Sequence, residues 1–150
     1  MKREYPYHPI IGVGAIIIKG EKVLLARRGR EPDYGKWSIP GGAVKLGETL
    51  KEAVKREVRE EVSLAIRVGE VVEVLERIFH DPEGKVQYHY VLVDFLCEHL
   101  SGEEKPSSDA LEARWVPISE ISRQRLPGKT KRVIQKAFEM RQRERELREG

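Results

Sequence analysis

The chain has 150 residues, 39% of them hydrophobic and 35% charged, with a formal net charge of +3. That length fits a single domain, residues 1–150, able to bury a core without staples, and one cysteine, Cys97, excludes an intrachain disulfide and a cysteine-rich zinc site. The longest apolar stretch, residues 13–18, is too short to cross a bilayer, and no secretory h-region follows the N-terminus, so a cytoplasmic protein without a membrane partner is expected.

Residues 11–18 and 22–28 are apolar runs separated by Lys19-Gly20-Glu21, which predicts a β-hairpin. Residues 27–37 carry Gly29, Pro32 and Gly35 and read as a loop, ending in a short strand at Trp37-Ser38-Ile39 before Pro40-Gly41-Gly42. Residues 48–62 have helical periodicity and no internal glycine or proline. Long strands are expected at 68–78 and 86–97, joined by a turn through His80-Asp81-Pro82-Glu83-Gly84. Residues 100–108 read as a loop, 111–116 as a strand, 117–121 as a short helix and 129–149 as a long terminal helix. Strands on both sides of a central helix, with another helix at the end, predict a mixed sheet covered on both faces. The terminal cations, from Lys129 to Arg148, are interleaved with Glu139, Glu144, Glu146 and Glu149. That pattern favours a solvated helix with i,i+4 pairs over a nucleic-acid-binding tail.

The informative segment is the helix at 48–62. With Glu57 at zero and an advance of about 100° per residue, Glu60 falls near 300° and Glu61 near 40°. The same arc, roughly 100° wide, holds Leu50, Ala53 and Val54, so the three acids are expected on or beside the buried side of the helix. Carboxylates packed there repel one another and lose hydration unless cations compensate. Oxygen-only ligands suit Mg²⁺ or Mn²⁺, which also bind phosphate oxygens. Taken alone, the helix fits a charged, exposed surface helix equally well.

In order, the segment runs Gly42, five residues, Glu48, seven residues, then Arg56-Glu57-Val58-Arg59-Glu60-Glu61-Val62-Ser63-Leu64. This resembles the Nudix box, Gly-x5-Glu-x7-Arg-Glu-U-x-Glu-Glu-x-Gly-U, with Ser63 at the one defined position that departs. Gly12-Val13-Gly14, Val23-Leu24-Leu25-Ala26-Arg27-Arg28, Trp37-Ser38-Ile39-Pro40-Gly41-Gly42 and Glu112-Ala113-Arg114-Trp115 look like the usual surroundings of the box. The resemblance implies an α/β/α sandwich with a mixed sheet and a Mg²⁺- or Mn²⁺-dependent hydrolase acting on a small nucleotide. By the same resemblance Glu57, Glu60, Glu61 and the Gly41 carbonyl are expected metal ligands. Arg56 should orient Glu57, and Glu48 should act as a supporting ligand or hydrogen-bond partner. Arg27 and Arg28 are candidates for substrate phosphate, and Glu103, Glu104, Asp109 and Glu112 for the general base. Pro82, in a turn like that of some ADP-ribose hydrolases, leans the substrate towards ADP-ribose. A (d)NTP pyrophosphohydrolase, a non-catalytic sensing domain and an RNA 5′-end hydrolase stay open, as does a homodimer.

Overall fold

The computed structural model describes residues 2–149. Strand β1 (Ile10–Lys19) turns tightly into β2 (Lys22–Arg28), as the apolar runs predict. Two short strands follow, β3 (Trp37–Ser38) and β4 (Gly41–Ala43), and then helix α1 (Leu50–Val62). Strands β5 (Ala65–His80) and β6 (Val86–Ser101) form one long antiparallel hairpin, and β7 (Ala110–Pro117) leads through a 3-10 turn (Ile118–Arg123) to helix α2 (Gly128–Glu149). The hairpin strands extend several residues past the predicted 68–78 and 86–97. The polar residues at their ends are held by ladder bonds to each other, which hydropathy does not register.

All seven strands form one mixed sheet. β1 lies at its centre, parallel to β6 on one side. On the other side β1 is shared between two antiparallel partners, β2 near its C-terminal end and β4 at Gly12–Gly14. Alternation along β1 feeds two separate cores. Val13, Ala15 and Ile17 point to α1 and pack with Val54, Val58, Val62 and Phe95. Ile16 and Ile18 point to α2 and pack with Leu96, Val72, Val133, Ile134 and Ala137. The result is the sheet with a helix on each face that the element order predicts. No helix among the described residues is long and apolar enough to cross a membrane.

Helix α1 starts two residues later than the periodicity suggests. Thr49 caps it, accepting from Glu52 N–H at 3.1 Å while the Glu52 side chain accepts from Thr49 N–H at 3.2 Å. Glu48 is thereby left outside the helix, free to turn back towards it. At the other end Ser63 adopts φ 62°, ψ 31°, the left-handed torsion that glycine takes without strain. Its hydroxyl recovers part of that cost by donating to the Lys105 carbonyl at 3.2 Å. Ser63→Gly is therefore expected to stabilise the chain by about 0.5 kcal/mol, the relieved strain less the lost hydrogen bond. Urea unfolding checks this, and a destabilised variant would show that the hydroxyl bond outweighs the strain.

Among the described residues the cations of α2 make none of the expected i,i+4 ion pairs within the helix. Lys136 pairs with Glu73 of β5 at 3.1 Å, and Arg141 with Glu21 of the β1–β2 turn at 3.3 Å, so they dock the helix on the sheet.

Candidate active site

The apolar stripe of α1, Ala53, Val54, Val58 and Val62, drives the helix onto the sheet and carries Glu57 and Glu61 down with it. These two are only 9% and 7% exposed. Glu60 is different: its side chain is 47% exposed and faces Arg56, whose Nη1 lies 3.3 Å away. The wheel placed all three on one arc, but the buried stripe is centred near 50°, between Glu61 and Val54, and not on Glu57. Glu61 lies close to that centre and Glu60 at its far edge.

Glu57 and Glu61 lie side by side, and the Glu57 carboxylate and the Gly41 backbone both act on the Glu61 carboxyl. Burial, then the adjacent Glu57 carboxylate, pushes the Glu61 carboxyl up to about 9. Strand β4 crosses directly over the pair. A Cβ on Gly42 would lie 2.6 Å from Glu57 Oε1 and nearer still to the rest of the carboxylate, so only glycine lets backbone and acid share this space.

Arg56 ties the site together. Its Nε and Nη2 donate to the two Glu48 oxygens at 2.6 and 2.9 Å, Nη2 also to the Ala43 carbonyl at 3.0 Å, and Nη1 to Glu57 Oε1 at 2.6 Å. The guanidinium bond holds the Glu48 carboxyl well below the usual carboxylate range, at about 2. Glu48 is thus a hydrogen-bond partner of Arg56, which in turn aims Glu57.

Arg27, Arg28, Arg30, Glu61, Asp109, Gly41 and Gly42 surround one small cavity. Arg28 is desolvated, which lowers its pKa, and donates to the Pro32 carbonyl at 2.8 Å. Arg27 bonds the Gly35 carbonyl at 2.9 Å and Glu112 at 3.0 Å, so Glu112 is occupied as an ion-pair partner across β2 and β7. Asp109 pairs with Arg30. Glu103 and Glu104 belong to the segment that Lys105 and Ser107 fasten to the C-terminal end of α1, and neither lines this cavity.

Through Arg28, Ile39, Gly41 and Gly42 the cavity joins a larger cleft on the α2 face of the sheet. Gly12 and Gly14 line that cleft with Phe79, Tyr90, Leu92, Arg77 and Asp94. Along Tyr88-His89-Tyr90, Tyr90 lines the cleft and His89 does not. Trp37 packs against the α2 core under the Arg114 guanidinium, 4.7 Å from its ring, and Pro82 sits at the β5–β6 turn outside the cleft.

Sequence reading missed Arg3, Arg77, Phe79 and Asp94. The one signal was Asp94 itself, an acid inside the apolar run Val91-Leu92-Val93-Asp94-Phe95-Leu96. It is 5% exposed, and burial, aided by Glu73, pushes its carboxyl up to about 6. An acid whose folded pKa lies above its unfolded value disfavours folding once ionised, and the penalty grows as pH rises from about 4 to 6. Asp94→Asn should therefore be more stable than the parent by about 2–3 kcal/mol at pH 7, with the gain gone by about pH 4. Urea unfolding at both pH values decides this; a gain of equal size at each would remove the titration from the explanation.

The donor set suits a hard divalent cation. Two adjacent buried carboxylates, one of them forced towards its protonated form, are the arrangement that a cation in place of the proton would relieve. Glu57 is already aimed by Arg56, and Gly42 leaves its approach free of side chain.

Residues 8–137 match the family model described as the NUDIX domain. The chain is 36% identical over 114 residues to an ADP-ribose pyrophosphatase of Methanocaldococcus jannaschii, covering 76% of this chain and 65% of that relative. It is 44% identical over 119 residues to a putative 8-oxo-dGTP diphosphatase 2 of Mycobacterium tuberculosis, covering 74% of this chain and 75% of that one. Its fold is similar to that of a MutT NUDIX hydrolase from Burkholderia pseudomallei, with a TM-score of 0.73, 27% identity, and coverage of 86% and 98%. The NUDIX match spans α1, every strand that builds the site and the first part of α2, and the chain belongs to the Nudix hydrolase family.

Proposed function

We propose that the chain hydrolyses a diphosphate linkage in a nucleoside diphosphate derivative, with ADP-ribose, giving AMP and ribose 5-phosphate, as the leading substrate. The observation that carries this reading is the buried Glu57–Glu61 pair, steadied by Arg56 and opening past Gly41 and Gly42 towards the cleft of Arg28, Phe79 and Tyr90. A diphosphate at that junction has cation-binding carboxylates on one side and a desolvated guanidinium on the other, and its nucleoside extends between aromatic walls. Similarity to the M. jannaschii ADP-ribose pyrophosphatase supports the choice of substrate.

Glu57, Glu61 and the Gly41 carbonyl would hold the cation, with Glu60 joining once it leaves Arg56. Mg²⁺ or Mn²⁺ there neutralises phosphate charge and makes an attacking water more acidic. Arg56 keeps Glu57 from rotating away, and Glu48 fixes Arg56. Arg28, with Arg27 beside it, meets the phosphate oxygens. Among Glu103, Glu104, Asp109 and Glu112, Asp109 is the acid that lines the cavity of Glu61, and it is the preferred general base.

A second reading, a (d)NTP pyrophosphohydrolase, is favoured by the 44% identity to the putative 8-oxo-dGTP diphosphatase. A panel of ADP-ribose, other nucleoside diphosphate sugars, dinucleoside polyphosphates and (d)NTPs, each with Mg²⁺ and with EDTA, separates the two. AMP and ribose 5-phosphate from ADP-ribose, only with metal, is the expected result. Pyrophosphate released from an NTP keeps the chemistry and replaces the substrate. If nothing in the panel is cut, the proposal fails in favour of an RNA 5′ end or a sensing role.

A further inference from the structure

Among the described residues Asp94 has no hydrogen-bond or ion-pair partner, and its surroundings explain why. Its carboxylate lies over Gly14, in the space a side chain at that position would fill; a Cβ there would also meet Ile39 Cδ1 at 2.8 Å. Three cations line the same cleft and none donates to Asp94: Arg77 pairs with Asp33 at 2.7 Å, Arg28 with the Pro32 carbonyl, and Arg3 is not among the groups that act on the Asp94 carboxyl. Glu73, across the ladder on β5, is an acid and is itself paired with Lys136. Yet among the described residues the only sealed side-chain polar atom without a partner is Arg141 Nε, so the Asp94 oxygens open onto the cleft. A buried carboxylate without a donor is costly, and such groups in folded proteins are satisfied by something. Here the described residues supply nothing, and the partner is the water of the open cleft or the ligand that displaces it.

We propose that Asp94 is a specificity-determining acceptor: it takes a hydrogen bond from an N–H or O–H of the substrate's nucleoside and rejects nucleosides that bring only lone pairs or negative charge to that point. The walls agree with this assignment. Phe79, Tyr90, Leu92, Ile39 and Pro40 offer apolar contact to flat rings, which holds any nucleoside but distinguishes few. One oriented acceptor among them supplies the discrimination, because a mismatched ligand leaves the acid buried and unpaired. The inference rests on the reading that the cleft receives the nucleoside half of a nucleoside diphosphate derivative.

The test is equilibrium binding of α,β-methylene-ADP, which resists cleavage at its diphosphate, so the result does not depend on turnover. The parent protein is compared with Asp94→Ala and Asp94→Asn, using the probe and its 2′-deoxy, 3′-deoxy and 6-desamino forms. The parent should lose roughly 10- to 100-fold in affinity for the form lacking the recognised donor, the worth of one hydrogen bond to a charged group. That form identifies the donor as a ribose hydroxyl or the base amine. In Asp94→Ala the ratio between probe and that form should collapse towards one, and in Asp94→Asn, which keeps an acceptor of the same size, it should fall between. A purely structural role would weaken all forms alike and leave the ratio unchanged, which overturns the proposal, as does a parent that binds no form or all forms equally. If Asp94→Ala does not fold, the Asn ratio decides alone. Loss of hydrolysis with binding and discrimination intact would refute the proposed reaction and leave Asp94 in its role; hydrolysis without discrimination would do the reverse.

Discussion

Glu57→Gln is expected to reduce metal-dependent turnover by on the order of 10³-fold while leaving the fold intact. Glutamine has the same shape, and its amide oxygen still accepts the Arg56 bond now made at 2.6 Å. What it removes is the negative charge that a cation needs. Burial makes that loss severe, since Glu57 is only 9% exposed and few waters are present to substitute for it. Stability should not fall, because the contact between two buried acids at Glu57 and Glu61 becomes an amide–acid contact. Two measurements together are needed: steady-state turnover, and the thermal midpoint with and without Mg²⁺. The parent should gain stability with Mg²⁺ as a ligand of the native state, and the variant should gain little. Near-normal turnover would sink the assignment of Glu57.

Gly42→Ala and Gly41→Ala should fail in opposite ways. A Cβ added at Gly42 would collide with the carboxylate of Glu57, the movable end of a side chain. The chain can yield by turning that carboxylate aside, so stability should drop by only about 1 kcal/mol while activity drops by roughly 100-fold or more. A Cβ added at Gly41 meets the carbonyl of Val13 and lies 3.0 Å from the Gly14 Cα, which are backbone atoms of the central strand and cannot turn aside. Gly41→Ala should therefore cost about 2 kcal/mol or more of stability, with activity falling because β4 itself is displaced. Turnover and urea unfolding measured on both variants decide the matter. Equal losses of both kinds at both positions would mean that β4 acts as one rigid unit and that the Glu57 contact is not special.

Much of this molecule is legible in the order of its residues. Two apolar runs separated by Lys19-Gly20-Glu21 specified the β1–β2 hairpin, and periodicity without glycine or proline specified α1. The spacing from Gly42 to Leu64 identified the family, because those positions are tied to one short helix whose wheel is fixed by local geometry. Even the departure at Ser63 was readable, since a left-handed torsion at a helix end depends on its immediate neighbours.

Tertiary structure decided what depends on residues far apart in sequence. Glu60 left the buried pair because the centre of the helix's buried stripe is set by the sheet it packs on, which a helical wheel does not contain. Glu112 was drawn away by Arg27 through a register between β2 and β7 that joins positions 85 apart, whereas Asp109 arrived beside Glu61. The cleft exists because β1, β5 and β6 bring Gly14, Arg77 and Asp94 to one face, and ladder partners are chosen by pairing across the sheet. The sequence by itself determined the helix, its acids and the chemistry they suit, since those follow from neighbours within a few turns. Only the folded sheet decided which acids are buried together and which side chains line the cleft, because burial and pairing are properties of surfaces brought into contact.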